Sequence, residues 1–226
     1  MTVGDTLPEQ YRTRTSYFYQ SELFVDERVL IPRAETELLV EVAVDIARRK
    51  GAGSQGVRLA ALDLCTGSGN IAISLTKSVI LDTIIACDVS NEALSVARIN
   101  AARHGVSDKV RYVRSDLFER IEGVFDIITA NPPYVASAEL ATLPEEVLAE
   151  PRIALDGGFD GLDVIRRILV SAPAFLRSGG YLVMEMGYDQ SSKVATLVDM
   201  TERLHCVAIK KDYSGIDRVL VAKVNG

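Results

Sequence analysis

From residue 57 to the end of this 226-residue chain, short β-branched runs alternate with stretches of helical periodicity, and that alternation leaves few folds open. Strands separated by helices read as βαβ units, which build a parallel sheet covered by helices. The predicted strands are VRLAALDLC (57–65), TIIACDV (83–89), KVRYVRSD (109–116), FDIITA (125–130) and YLVMEM (181–186). The predicted helices are NIAISLTK (70–77), NEALSVARINAARHG (91–105), GLDVIRRILVSAPAFLRSGG (161–180) and QSSKVATLVDM (190–200). Ser90 or Asn91 caps the second helix, Ala93, Leu94, Ala97, Ile99 and Ala101 face largely one way, and Gly105 stops it; Gly179-Gly180 stops the third. CVAIKK (206–211) and RVLVAKV (218–224) are close enough for a hairpin, which ends the parallel sheet with one reversed strand. Ahead of this pattern, residues 35–56 read as an amphipathic helix running into a Gly/Ser linker, and residues 16–31 as a β-hairpin. The expected architecture is α/β: residues 1–34 form an N-terminal extension with the hairpin, and residues 35–226 one domain with a seven-stranded sheet.

Composition narrows the function classes. Hydrophobic residues make up 48% of the chain, enough for one large core, and no apolar run approaches the ~20 residues of a membrane span. The start, MTVGDTLPEQYRTRTSYFYQ, lacks the apolar segment of a secretory signal, so the expected location is cytoplasmic. Cys65, Cys87 and Cys206 sit singly in or beside apolar runs and read as buried thiols; His104 and His205 lack companions at ligand spacing, so no metal is expected. A net charge of −6 disfavours nucleic acid, whose phosphates are bound by clustered Lys and Arg.

The loop between the first strand and helix reads Asp63-Leu64-Cys65-Thr66-Gly67-Ser68-Gly69-Asn70-Ile71-Ala72. Two ligands fit it. Gly67-x-Gly69-x-x-Ala72 with Asp88 matches a dinucleotide fingerprint. An acid four residues before a tight Gly-x-Gly turn, with a second acid ending the next strand, also describes the S-adenosylmethionine loop of class I methyltransferases. There the glycines admit the methionine part and the ribose, Asp88 accepts from both ribose hydroxyls, and Asp63 organises the ammonium side. Ser115-Asp116-Leu117 separates the two readings, because it places an acid for the adenine amino group and an apolar cover for the ring after the third strand. The alternative for Asp116 is a cap of the next turn.

Ala130-Asn131-Pro132-Pro133-Tyr134 ends the fourth strand, since two prolines cannot continue a ladder. Ligands of open parallel sheets collect at the carboxyl ends of the strands, which sets Asn131 beside the methyl donor. An amide or aromatic amine is a poor nucleophile because its lone pair is delocalised. Two acceptors, the Asn131 carboxamide oxygen and the Pro132 carbonyl, can hold a planar NH₂ with that lone pair facing the methyl group. Pro133 stiffens the loop and Tyr134 offers a flat surface; the plain alternative is a strand-ending turn.

VLIPRAETELLVE (29–41), DLCTGSGNIAI (63–73), SDLF (115–118), NPPY (131–134), EPRIALDGGFDGLD (150–163), MEMG (184–187) and DYSGIDRVLVAK (212–223) together resemble the HemK/PrmC-type protein-(glutamine-N5) methyltransferases, from about residue 16 to the end. The resemblance implies a class I, Rossmann-like fold with strand order 3-2-1-4-5-7-6, S-adenosyl-L-methionine as cofactor and a peptide-chain release factor as protein partner, methylated at the glutamine of its Gly-Gly-Gln sequence. It also implies that Cys65, Thr66, Gly67, Ser68 and Gly69 line the donor, Asp88 holds the ribose, Leu117 covers the adenine, and Asn131 to Tyr134 hold the acceptor amide. Phe18 and Tyr19 would wall the acceptor pocket, with ordinary hairpin packing as their alternative, and Arg33 would lie in the lid over the cleft. Ala34 stands where the family usually has proline, which loosens the Arg33 loop. The family's helical N-terminal domain has no counterpart in the 15 residues before the hairpin. Competing expectations are N-methylation of a small metabolite or a nucleic-acid amino group, and a non-catalytic partner subunit; oligomeric state is not readable.

Overall fold

The computed structural model describes residues 7–52, 59–79 and 81–225. The Gly/Ser linker and residues 57–58 of the first predicted strand lie outside the described residues. A short helix α1 (Glu9–Thr13) and a hairpin of β1 (Ser16–Phe18) and β2 (Ser21–Leu23) precede the long helix α2 (Glu35–Ala52). The sheet then builds in the order β3 (Leu59–Leu64), α3 (Asn70–Ser78), β4 (Leu81–Asp88), α4 (Asn91–Arg103), β5 (Val110–Arg114) and β6 (Phe125–Ala130). After a loop carrying α5 (Glu145–Leu148), the chain closes with α6 (Asp163–Phe175), β7 (Leu176–Glu185), α7 (Ser191–Asp199), β8 (Leu204–Lys211) and β9 (Asp217–Val224).

The seven strands are ordered β5-β4-β3-β6-β7-β9-β8, with β9 antiparallel to both neighbours and the other pairs parallel. Numbered along the sheet-forming part of the chain, this is the expected 3-2-1-4-5-7-6. Successive strand residues face opposite sides, so the even-numbered Leu62, Leu64, Ile128 and Ala130 pack with α6 and α7, whereas Ala61 and Ile127 pack with α2 and α3. β6 lies at the centre and is buried at every position.

Four local expectations change. The predicted hairpin shortens to residues 16–23, because the chain from Phe24 leaves its partner strand to run across α4. The predicted helix 161–180 ends at Phe175, and its glycines belong to β7: Phe125 pairs with Leu176 and Ile127 with Tyr181, so residues 177–180 bulge out of the ladder. A Cβ on Gly180 would stand 2.8 Å from the Arg177 carbonyl oxygen, which is why glycine serves the bulge. In α4, capped by Ser90 as expected, Ile99 is 39% exposed and Val96 and Asn100 take the inner face. The thiols are free, but of the three cysteines Cys87 alone is fully buried.

Asn100 fastens the N-terminal segment to the sheet. Its Oδ1 accepts the Phe24 N–H at 2.7 Å, and its Nδ2 donates to the carbonyls of Phe24 and Ser68, both at 2.9 Å. One buried carboxamide therefore joins α4, the chain after β2 and the glycine loop. Asn100→Ala strips partners from three buried backbone groups and is expected to cost about 2 kcal/mol or more in urea denaturation. A cost no larger than the ~0.5 kcal/mol of an exposed position would show that Asn100 is not a fastening point.

Candidate active site

The glycine loop leaves β3 at Cys65, which takes a left-handed conformation (φ 55°), and continues through Gly67 (φ 53°) and Gly69 (φ 82°). A Cβ on Gly67 would meet no atom within 4 Å, so this position is bare toward the cavity as well as left-handed. Gly69 serves helix packing instead, since a Cβ there would come within 3.1 Å of the Ala97 Cβ and the missing side chain lets α3 approach α4. The Thr66 N–H reaches the Cys87 carbonyl at 3.0 Å, and the Gly67 N–H donates to Asp88 Oδ2 at 3.0 Å. Asp88 Oδ1 accepts the Ser90 N–H at 2.9 Å. Burial raises the Asp88 pKa above the usual carboxylate value, and these backbone bonds oppose the rise.

Asp63 sits behind the loop, fully buried, and accepts the hydroxyls of Thr66 (2.6 Å) and Thr129 (2.7 Å). Burial pushes its pKa up to about 7 despite those bonds.

A cavity of about 280 Å³ opens over the carboxyl ends of the strands. Cys65, Thr66, Gly67, Ser68, Asp88, Asp116 and Leu117 line one side, and Asn131 and Pro133 lie at its floor. Arg28, Val29, Leu30, Pro32 and Arg33 roof it and Pro151, Ile153, Ala154 and Asp156 close the far wall. Ser68 Oγ is buried there with no hydrogen-bond partner among the described residues. Leu117, like Cys65, holds a left-handed backbone (φ 48°), its carbonyl taking the Cys87 thiol at 3.6 Å. Two non-glycine residues in this costly region, both in the cavity wall, indicate a site whose shape is imposed by its surroundings. Asp116 Oδ2 is paired with Arg167 of α6 at 2.9 Å.

The segment after β6 lies against the glycine loop because Ala130 pairs with Leu64. Asn131 Nδ2 donates to Thr36 Oγ1 at 3.1 Å, and among the described residues no donor reaches Asn131 Oδ1 or the Pro132 carbonyl. Tyr134 turns its hydroxyl down to Glu185 Oε1 at 3.1 Å, and its carbonyl accepts from Gln190 Nε2 at 2.9 Å. Burial raises the Tyr134 pKa. Gly157 and Gly161 press on this backbone: a Cβ on Gly157 would lie 2.8 Å from Tyr134 Cα, and one on Gly161 would strike the Tyr134 carbonyl oxygen. The glycines of the DGGFDG stretch thus clamp the NPPY segment.

The roof is latched by Glu150, which accepts the Ile31 N–H at 2.9 Å and pairs with Arg33. From the other end, the Tyr11 hydroxyl donates to the Val29 carbonyl at 2.6 Å. Arg33 therefore lines the cavity. Phe18 and Tyr19 lie elsewhere. Phe18 is 1% exposed inside the core shared by α2 and α3, and Tyr19 packs on the same core with its N–H held by Glu37 at 2.7 Å. Both serve the hairpin's own packing, the alternative given for them above, and neither lines this cavity. Asp63, Gly69, Pro132 and Tyr134 support the cavity from behind. Sequence reasoning missed Thr36, Asn100, Glu150 and Glu185; the available signal was an acid interrupting the apolar run YLVMEM and another preceding Pro151.

A seven-stranded sheet of this order, with a glycine turn after its first strand and an acid ending its second, defines a class I methyltransferase. The solved ribosomal protein L11 methylase of Lactobacillus delbrueckii subsp. bulgaricus shares the fold, with a TM-score of 0.63 and 17% identity over 89% of this chain and 84% of that one. A sequence model of the methyltransferase small domain matches residues 54–158. The release factor glutamine methyltransferase of Gloeobacter violaceus is 40% identical over 221 residues, which cover 97% of this chain and 75% of that protein. The ribosomal protein uL3 glutamine methyltransferase of Neisseria meningitidis is 41% identical over 184 residues, 81% of this chain and 59% of that protein. The chain belongs to the release factor glutamine methyltransferase family.

The buried Asp63 generates a pH prediction. Its folded pKa is raised, so between about pH 4 and pH 7 the folded state holds a proton that the unfolded state has released. The stabilisation is complete below that window and is lost as pH rises through it. Urea midpoints of the ligand-free protein should therefore fall with rising pH, and the slope should be shallower in Asp63→Asn; an unchanged slope would exclude Asp63 as a source.

Proposed function

We propose that this chain transfers a methyl group from S-adenosyl-L-methionine to the side-chain amide nitrogen of a glutamine in a protein, and that the acceptor is a peptide-chain release factor presenting Gly-Gly-Gln. The pairing of Leu64 with Ala130 carries the reading, because it sets the glycine loop and Asn131 on one cavity, and among the described residues the Asn131 carboxamide oxygen and the adjacent Pro132 carbonyl have no donor. The residues present fit the donor. Each Asp88 oxygen spends one lone pair on a backbone N–H and keeps another for a ribose hydroxyl. Ser68 Oγ is a buried polar atom with no partner among the described residues, Gly67 leaves room for close approach, and Leu117 offers an apolar cover beside Asp116. When bound, the donor supplies an electrophilic methyl group, whose bond to sulfur breaks as the new bond to nitrogen forms and one amide proton is released.

The chain's own part is positioning and charge stabilisation. Asn131 Oδ1 and the Pro132 carbonyl accept the two N–H groups of the glutamine amide, fixing its plane so that the nitrogen lone pair faces the donor. The same oxygens stabilise the positive charge that develops on nitrogen. The prolines hold these acceptors in one conformation, and the clamp of Gly157 and Gly161 prevents the backbone from relaxing. Residues 35–226 then form the catalytic domain, with Arg28 to Arg33 of the preceding extension over its cavity. A cytoplasmic location goes with this reading; among the described residues no helix is long and apolar enough to cross a membrane.

The test is labelled methyl donor incubated with release factor, uL3, total RNA and duplex DNA, with the product located by mass spectrometry. Label on the Gly-Gly-Gln glutamine is expected; label on uL3 would change the acceptor, and label on nucleic acid alone would overturn the reading. Asp88→Ala should weaken donor binding by about 1.5 to 3 kcal/mol in calorimetry. Asn131→Ala should lower kcat about a hundredfold with donor affinity nearly intact, and Asn131→Asp should retain more activity because an acceptor oxygen remains. Wild-type turnover by Asn131→Ala would return the NPPY segment to a strand-ending turn.

A further inference from the structure

We infer that Arg167 of α6 is a specificity-determining residue for the methyl donor. Paired with Asp116, it sets a hydrogen-bond donor beside an acceptor for the amino edge of the adenine, and it closes the cavity behind that edge. The inference rests on the donor reading above; the methyl acceptor has no part in it. Asp116, Leu117 and Arg167 line the cavity and also an open cleft beside it, whose other walls include Phe118, Val170 and Ser171. The ion pair of Asp116 Oδ2 with Arg167 Nη2, at 2.9 Å, therefore stands where the two spaces meet.

The backbone places Asp116 without spending its carboxylate. The Ser115 N–H donates to the Asp88 carbonyl at 3.0 Å, which ties the chain after β5 to the end of β4. In the turn that follows, Ser115 Oγ accepts the Arg120 N–H at 3.0 Å and the Asp116 carbonyl accepts the Glu119 N–H at 3.2 Å. Other atoms thus fill the turn-capping role that was the alternative for the Asp116 side chain. Among the described residues Arg167 alone reaches that carboxylate, at Oδ2, and no donor reaches Oδ1. The two arginines of α6 divide their tasks, because successive helical residues diverge by about 100°. Arg166 Nη1 donates to Asp160 at 2.8 Å and to Asp163 at 3.0 Å, at the start of the helix, while Arg167 turns to the cavity.

The chemistry of the pair matches one base edge. Adenine shows an amino group, a donor, next to a ring nitrogen, an acceptor. A carboxylate only accepts and a guanidinium only donates, so Asp116 Oδ1 and the N–H groups that Arg167 keeps beyond its ion pair offer the complementary pattern. Hypoxanthine would set a carbonyl oxygen against the carboxylate instead. Without Arg167, Asp116 loses the side chain that holds its orientation and the wall toward the cleft opens. Both side chains are partly exposed, 50% for Arg167 and 42% for Asp116, and a surface ion pair of this kind adds little to stability. Its removal therefore tests recognition without unfolding the chain.

The experiment is calorimetric and needs no turnover. Its three probes are S-adenosyl-L-homocysteine, the inosine counterpart S-inosyl-L-homocysteine, and S-adenosyl-L-homocysteine benzylated on the adenine amino group. Wild type should bind the first about tenfold or more tighter than the other two. Arg167→Ala should bind S-adenosyl-L-homocysteine about tenfold more weakly and discriminate less against the inosine compound, since the loosened carboxylate can turn away from a carbonyl oxygen. The same variant should gain affinity for the benzylated compound, whose ring passes through the opened wall toward Phe118 and Val170. Asp116→Ala should lose as much S-adenosyl-L-homocysteine affinity as Arg167→Ala, and the double variant no more than either, because the two act as a pair. Urea denaturation verifies that each variant is folded. Affinity for S-adenosyl-L-homocysteine within about twofold of wild type in Arg167→Ala, or no gain for the benzylated compound, would overturn the inference. A wild type that binds none of the three would overturn the donor reading and the inference with it. One that binds S-adenosyl-L-homocysteine yet methylates no glutamine would overturn the acceptor reading alone.

Discussion

The pairing of β3 with β6 is the contact on which the site depends. Sheet order reverses on either side of it, so the two chains leaving Leu64 and Ala130 emerge side by side with no strand between them. One carries the glycine loop and the other the rigid NPPY segment. A parallel ladder fixes their relative height by register, and a slip of one residue would turn every side chain of β6 to the opposite face. Since β6 is buried throughout, such a slip is heavily disfavoured. The precision that methyl transfer requires is thus inherited from the hydrophobic core.

Around this pairing the polar groups are organised in tiers. Asp63 ties Thr66 to Thr129 across the same two strands, Asp88 holds the loop from β4, and Glu185 reaches the NPPY segment from β7. Each is an acid at or near a strand's carboxyl end, Asp63 and Glu185 fully buried and Asp88 partly so, and loss of water raises the pKa of all three. Isolated buried charges are expensive, and hydroxyls or backbone N–H groups answer each of them. Asp88 faces the cavity, whereas Asp63 and Glu185 act from behind its wall.

Much of this was legible in the chain. The alternation pointed to a parallel sheet with one reversed strand, the family resemblance implied its order, FDIITA matched β6 at both ends, and the glycine loop, Asp88, Asp116 and Asn131 fall around one cavity. What escaped depended on tertiary placement. Gly179-Gly180 signals a break in either a helix or a strand, and only pairing with β6 assigns it to a strand bulge. Phe18 and Tyr19 have the composition of a pocket wall, yet the hairpin turns them into the core. Asn100 and Glu150 are ordinary polar residues in sequence; their partners lie 76 and 119 residues away, beyond the reach of any local pattern.

Those separations bear on how the molecule comes into being. Residues 7–34 are translated ahead of the sheet, but the side chains that hold them belong to α4 and to the loop beyond β6. During synthesis the roof segment must wait, its apolar Phe24, Val25 and Ile31 without their eventual partners, until most of the sheet has been made. Long-range contacts of this kind carry a loop-closure cost and are formed late. The cavity is consequently among the last features to be completed, and a chain interrupted before Glu150 would possess the glycine loop and the NPPY segment without the latch that closes the cover over them.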